Sequence, residues 1–322
     1  MITDCEPPPS LTVAILGAGP AGMSCANACL SFGLIPVVIE RSDHAGGAQR
    51  TNFHPNLWML GAPGETGETM TRRMADHYAG LAVDTRYGTE VVGVEGEAGE
   101  FTLSLKTAGG GSPAPLHAGA IVLATGMRPR STPALDKLAR ASRRVIIGAL
   151  SDTIRDGIRS ARVLILGGGD NALDHALFLA ERDNRVLVCT RHGFSARAGF
   201  LASCGQQAKV RLRDECIPVS LDVTGEQIRA DWEDVSEVFD WLLVMYGYRL
   251  NTEVLACFAP ALRPDLTASG HVLADAWQRT SVPGLYAAGD ITDSPQPSVV
   301  TAIAHGLAAA RAIERQRNHL SP

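Results

Sequence analysis

Two short glycine runs carry the chemistry this sequence can do: Gly17-Ala18-Gly19-Pro20-Ala21-Gly22 and Gly167-Gly168-Gly169-Asp170-Asn171-Ala172. A glycine turn between a strand and a helix lets main-chain amides close on a diphosphate at the positive end of the helix. One glycine makes the tight turn, one admits the diphosphate to the backbone, and one lets the helix pack closely. Each run follows an apolar segment, residues 11–16 and 163–166, and opens a helix-like one, residues 23–30 and 173–180. Strand, turn and helix in that order, twice over, imply two dinucleotides. A protein that holds two dinucleotides is placed to move electrons between them.

The residue that closes the second strand of each unit bears on which nucleotide binds. Residues 35–39 form an apolar strand ending at Glu40, 18 positions beyond Gly22, where a carboxylate accepts the ribose hydroxyls of an adenosine. Residues 185–189 form its counterpart, but it ends at Thr190-Arg191. An arginine there accommodates a 2′-phosphate, so Arg191, with His192 and Arg197 close behind, points to NADPH over NADH.

The elements that must position these residues fit an α/β chain of 322 residues, enough for about two domains. Hydrophobic residues make up 45% and charged residues 20%, as in a globular enzyme with a sizeable core. A net charge of −5 argues against a nucleic-acid partner. No apolar run is long enough for a membrane span, and residues 1–10 do not resemble a secretory signal, so a cytoplasmic location is expected. The seven cysteines are dispersed, with no CxxC, and suggest neither a disulfide framework nor a metal site. Cys25 and Cys29, four apart, are expected to pack the first helix on its sheet.

Between the fingerprints, residues 42–49 and 52–70 read as polar or Gly/Pro-rich loop, residues 70–79 as a helix, and residues 90–95 and 101–106 as antiparallel strands. A buried strand at 120–124 runs into Thr125-Gly126 and a Pro- and Arg-rich stretch that marks a crossing between domains. Strands near 210–213, 216–223 and 227–232 form a small β excursion, and the strand at 240–248 leads back. The chain closes with Gly284-Leu285-Tyr286-Ala287-Ala288-Gly289-Asp290 and a helix from Ser298 to about residue 315, with Ser298 as a possible N-cap.

These motifs together resemble the thioredoxin-reductase-like flavoproteins, which have two dinucleotide-binding domains. The likeness rests on residues 16–22, Ala124-Thr125-Gly126, residues 167–172 and residues 281–290. It implies two Rossmann-like domains, with an NAD(P)H domain (127–248) inserted into a discontinuous FAD domain (1–126 and 249–322). By the family's pattern, the FAD residues are Gly17, Gly19, Pro20, Ala21, Gly22, Glu40, Gly47, Gln49, Val91, Thr125, Gly126, Gly289, Asp290, Ser298 and Val299. Asp290 would contact the ribityl–phosphate part, and Val299 and Val300 would lie at the flavin's pyrimidine end. Gly167, Gly169, Asp170, Asn171, Ala172, Arg191, His192 and Arg197 would hold NADPH. A homodimer is the usual assembly.

Three departures bear on function. Leu150 and Thr153 occupy the positions where the family's reductases carry their redox CxxC. An extra residue interrupts the usual Gly-Gly-Gln as Gly46-Gly47-Ala48-Gln49, and the two-arginine NADPH patch is thinned to Arg191-His192. The expected activity is therefore FAD-dependent NAD(P)H oxidation that delivers electrons to a non-disulfide acceptor. The ferredoxin/flavodoxin–NADP reductase branch, with ferredoxin or flavodoxin as partner, and a small-molecule acceptor both fit. Alternatives are an FAD-dependent oxidase or dehydrogenase that does not use NADPH, a flavin redox sensor without turnover, or a disulfide reductase built on Cys204 or Cys257. His54, in a loop with Trp58, is a weak acid–base candidate, and His305 is expected to pack or to cap at a subunit interface.

Overall fold

The computed structural model describes residues 10–56 and 59–320, the last two by backbone alone. The chain divides into two compact units, Met1–Arg50 with His54–Met127 and Leu250–Pro322, and Arg128–Arg249 with Thr51–Phe53. That last tripeptide departs from the continuous 1–126 segment expected. Thr51 Oγ1 donates to Leu150 O at 3.2 Å, and the Phe53 ring lies 4.9 Å from that of Phe178, holding it to the second unit.

In chain order the first unit contributes β1 (Thr12–Leu16), α1 (Pro20–Ser31), β2 (Ile35–Ile39), α2 (Gly67–Ala79), β3 (Asp84–Arg86), β4 (Thr89–Glu97), β5 (Glu100–Thr107), β6 (Leu116–Ala118) and β7 (Ala120–Leu123). The crossing strand β8 (Met127–Pro129) opens the second unit, followed by α3 (Pro133–Ala141), β9 (Val145–Ile147), β10 (Arg162–Leu166), α4 (Asp170–Ala180), β11 (Arg185–Cys189), α5 (Ala198–Gln206) and β12 (Val210–Arg213). Strands β13 (Ser220–Thr224), β14 (Gln227–Asp231), β15 (Ser236–Phe239), β16 (Trp241–Val244) and β17 (Tyr248–Leu250) complete that unit, and β18 (Leu285–Ala287) and α6 (Val299–Leu320) return to the first.

Both units solve the same packing problem in the same way. The first holds a parallel sheet in the order β18-β7-β1-β2-β3, the second one in the order β12-β11-β10-β16-β9. Parallel strands are apolar on both faces and need a cover on each. In β1, Val13 and Ile15 face a cluster built with α1 and α6, while Ala14 and Leu16 face one built with β4 and β5. In β10, Val163 and Ile165 face α4, whereas Leu164 and Leu166 face β14 and β15. Helices on one face and a three-stranded antiparallel sheet on the other account for the continuous apolar runs in the sequence.

The crossings are tied down on both sides of the boundary. Within the first unit, Asn251 Nδ2 donates to Thr125 O at 2.7 Å, and Thr125 Oγ1 donates to Asn251 O at 3.1 Å. Within the second, Arg130 N–H donates to Gly247 O at 2.8 Å.

Helices α1 and α6 approach at their backbones. A Cβ on Gly306 would stand 2.2 Å from Ala21 O and 2.8 Å from Cys25 N, so only glycine fits there. Cys25 and Cys29 are fully buried on that side of α1. Gly306→Ala is expected to cost about 1–3 kcal/mol through forced separation of the two helices. Gly205→Ala, at a helical site with nothing within 4 Å of the added methyl, should instead be neutral or stabilising. Urea unfolding of the two variants checks both outcomes.

Candidate dinucleotide-binding sites

The first glycine turn links β1 to α1 at the carboxyl end of the parallel sheet. Gly17 has φ +110°, and a Cβ on it would lie 2.5 Å from Ala124 O. A Cβ on Gly22 would lie 1.9 Å from Gly17 O, which is what lets α1 rise directly from the turn. No side chain caps the N-terminus of α1 at Gly19, and its first turn carries no acid. Amides left at such an end are an anion site. Gly47, φ +61°, comes against Gly19 so closely that a Cβ would stand 3.1 Å from the Gly19 Cα.

Glu40 is fixed above this turn by two main-chain donors: Ala18 N–H to Oε2 at 2.7 Å and Ser42 N–H to Oε1 at 2.8 Å. A carboxylate has about four acceptor positions, so two remain for hydroxyls. Gly289, φ +80°, completes the cradle from the other side, where a Cβ would be 3.0 Å from Ala21 Cβ. Gly17, Gly19, Pro20, Ala21, Gly22, Glu40, Gly47 and Gly289 thus converge, with Thr125 and Gly126 following β7 beside them. A cradle this close to the backbone fits the diphosphate and ribose of FAD. Gln49 lies in the short 3-10 turn Gly47–Thr51. Val91 stands apart: its side chain is buried with Leu103 and Leu105 in the core between the sheets.

Asp290, next along, is held partly away from water, and burial pushes its carboxyl pKa up, with His271 drawing it down by less. His305, on α6, accepts the Gly289 N–H on Nδ1 at 3.4 Å and lies 3.3 Å from Thr292 Oγ1. Burial pushes its pKa down, which favours the neutral ring. Ser298 caps α6 as expected, accepting Thr301 N–H at 3.2 Å. Val299 is buried and Val300 exposed.

The second turn, between β10 and α4, repeats the first. Gly167 has φ +147°, and a Cβ on it would stand 2.2 Å from Met245 O. Gly169 begins α4, again without a side-chain cap, and Asp170, Asn171 and Ala172 form its first turn. Asp170 is engaged with Arg197, accepting its N–H at 2.8 Å and its Nε–H at 2.7 Å. Arg197 is therefore charge-paired at the head of α5, which distinguishes it from Arg191. Arg191 and His192 are exposed, and Arg191 lies close enough to Tyr246 to draw down the pKa of its phenol, which burial raises. Thr190 organises their loop: Oγ1 donates to Gly193 O at 2.8 Å and accepts His192 N–H at 3.2 Å. Asp214 Oδ1 approaches the same hydroxyl at 3.5 Å. Tyr246 and Asp214 escaped the sequence reading. The signal for Tyr246 is its place just after β16, the counterpart of the position Ala124-Thr125 holds after β7.

Leu150 and Thr153 lie on either side of the start of a short π-helical turn, Thr153–Gly157. Just before it, Ala149 O lies 2.8 Å from Nε2 of the buried His175, whose Nδ1 is 2.7 Å from Asn171 O. All six described cysteines are free. Cys204 is 1% exposed, its Sγ lies 3.6 Å from Leu173 O, and burial raises its pKa. That removes it as a reactive thiol. His54 is half-buried, with its carbonyl accepting Gly67 N–H at 3.2 Å. Trp58 lies outside the described residues.

Residues 11–306 match the model of the pyridine nucleotide-disulphide oxidoreductase family. The chain is 31% identical to a ferredoxin–NADP reductase of Limosilactobacillus fermentum, covering 86% of this chain and 84% of that one. It is 27% identical to a thioredoxin reductase of Coxiella burnetii over 95% and 96% of the two chains. A solved thioredoxin reductase from Lactococcus lactis superposes with a TM-score of 0.76 at 21% identity, covering 97% of this chain and all of that one, and so shares the fold. The two glycine cradles and this likeness make the chain a member of the pyridine nucleotide-disulphide oxidoreductase family, an oxidoreductase whose cofactors are FAD and NADPH.

Proposed function

We propose that this enzyme takes electrons from NADPH and delivers them, by way of FAD, to an acceptor other than a CxxC disulfide. A ferredoxin- or flavodoxin-like protein or a small organic molecule fits that role. The observation that carries the reading is the residue pair Leu150 and Thr153, neither of which can form a dithiol, in a chain with no CxxC anywhere. The likeness to a ferredoxin–NADP reductase supports the same direction. We assign FAD to the first unit and NADPH to the second, and expect a cytoplasmic homodimer. Among the described residues no helix is long and apolar enough to cross a membrane.

FAD when bound supplies the interconversion of two-electron and one-electron transfer. The chain's residues bind and orient. Amides at the head of α1 meet the diphosphate, Glu40 accepts ribose hydroxyls, and Asp290 meets the ribityl–phosphate part. The N-terminal end of α6 favours negative charge near Val299. In the second unit, the head of α4 takes the other diphosphate, and Arg191, beside Tyr246, meets the 2′-phosphate.

Mixing the FAD-loaded protein anaerobically with nucleotide, after alkylation of its accessible thiols, tests this reading. Rapid bleaching of the flavin by NADPH is expected; no bleaching by either NADPH or NADH would refute it and favour the oxidase or sensor alternatives. Arg191→Ala should raise the NADPH KM by about 10–100-fold, through loss of a charge-assisted pair worth roughly 1.5–3 kcal/mol. The NADH KM should barely move, and equal effects on both would contradict the assignment of the 2′-phosphate.

Asp290 gives a pH-dependent prediction. Its folded pKa is raised, so its favourable contribution is complete below the ordinary carboxylate value and is lost as pH rises through the folded one. Asp290→Asn should therefore leave the FAD-free protein more resistant to urea at pH 7, with the gain closing as pH falls through the carboxylate range, while FAD binding weakens. His305 acts with the opposite sign. Its depressed pKa gives stability that is present above about 6.5 and lost as pH falls through the folded value. Urea midpoints of His305→Gln and wild type should then lie close at neutral pH and separate in mild acid, with wild type the less stable.

A further inference from the structure

The described chain also brings two thiols together beside the second glycine turn. Cys189 closes β11 and is fully buried, while Cys216 is half-buried in the loop after β12. Strands β11 and β12 are parallel neighbours with Cys189 opposite Arg213. Past Arg213 the chain doubles back through Glu215, which takes φ +46°, a left-handed conformation uncommon outside glycine. Cys216 N–H then donates to Thr190 O at 2.9 Å. That bond sets Cys216 against the residue that follows Cys189, and the Cys216 thiol lies close enough to help raise the pKa of Cys189. Trp232 Nε1–H donates to Cys216 O at 3.3 Å and holds the loop from its other side.

The neighbourhood gives this pair a lever. Thr190 lies between Cys189 and Arg191, and its hydroxyl holds Gly193 and His192 in place. Whatever moves Cys216 pulls on Thr190, and so on the loop that presents Arg191. Non-bonded sulfurs stand no closer than about 3.5 Å and a disulfide brings them to about 2 Å, so closure requires a shift of roughly 1.5 Å or more. Cys189 is locked in the sheet, so the shift falls on Cys216 and its loop.

We propose that Cys189 and Cys216 are a redox-sensitive dithiol that a hydroperoxide oxidises to a disulfide, displacing the loop 190–193 and weakening NADPH binding. The second half rests on our assignment of NADPH to this loop. The half-buried Cys216 meets the oxidant: its sulfur takes the hydroxyl of hydrogen peroxide to give a sulfenic acid, and one water leaves. The Cys189 sulfur then attacks the Cys216 sulfur, the S–S bond forms as the S–O bond breaks, and a second water leaves with the thiol proton. The two thiols lose two electrons and two protons, and the peroxide becomes two waters. Burial pushes the Cys189 thiol up to about 12, which makes it the slow, resolving partner and Cys216 the one that reacts first.

The test treats the reduced, FAD-loaded full chain with hydrogen peroxide. The intact mass should fall by about 2 Da, with a Cys189–Cys216 link in the peptide map. The NADPH KM should rise by about tenfold and return with dithiothreitol. Cys216→Ser should show neither the mass loss nor any response of KM to peroxide. Thiols still reduced, or a gain of about 32 Da at Cys216 with no link, would overturn the dithiol. A clean link with unchanged KM would overturn its effect on the loop. The mass is read without nucleotide, so failure of NADPH to bleach the flavin of the reduced protein would count against the cofactor assignment alone.

Discussion

Among the described α-helices, α1, α4 and α5 begin without a side-chain cap, and the first two do so at the carboxyl end of a buried parallel strand. An uncapped helix leaves main-chain donors unsatisfied, and most helices cover them with Ser, Thr, Asp or Asn. Here α1 begins at Gly19 and α4 at Gly169. The glycines around them allow contacts no other residue could make: Gly17 against Ala124, Gly22 against Gly17, and Gly167 against Met245. The requirement that a diphosphate touch backbone explains the φ values, the tight rise of each helix and the carboxylate fixed at Glu40. Helices α2, α3 and α6, which follow neither glycine turn, are capped by Thr66, Thr132 and Ser298.

That constraint accounts for the layering as well. A diphosphate cradle of this kind needs parallel strands, and parallel strands need both faces covered. Each unit meets the need with helices on one side and a three-stranded antiparallel sheet on the other. The two units differ in the charges they bring to the cradle. The first offers carboxylates, Glu40 and Asp290, of which Asp290 lies in surroundings that disfavour its charge. The second offers the exposed Arg191 and His192 and neutralises its own Asp170 with Arg197. On the proposed assignment, an adenosine diol in the first unit and a 2′-phosphate in the second call for that difference.

Much of this was legible in the sequence. The apolar runs at β1, β2, β10, β11 and β16, the antiparallel pair β4–β5 and the cap at Ser298 follow from local pattern, because burial on both faces or alternation writes them plainly. Short or solvated elements were not legible. Strands β3, β6 and β9 span three residues each, β15 four, and α5 presents mostly exposed side chains. Pairings between distant positions also left no local trace. Arg197 with Asp170, Tyr246 with Arg191, and Cys216 with Cys189 are each brought together by the sheet, not by spacing along the chain. The grouping of Thr51–Phe53 with the second unit came from one buried ring, Phe53, within a segment that reads as loop.

The central claim is that electrons leave this scaffold without passing through a dithiol next to the flavin. An anaerobic reductive titration of the FAD-loaded Cys216→Ser protein, begun after mild oxidation of its thiols, measures it most directly by counting electron equivalents. The account predicts complete flavin bleaching at about two electrons per FAD, with no long-wavelength thiolate–flavin band. Uptake of about four electrons per FAD after mild oxidation of a Cys216→Ser variant, or the appearance of such a band, would contradict it.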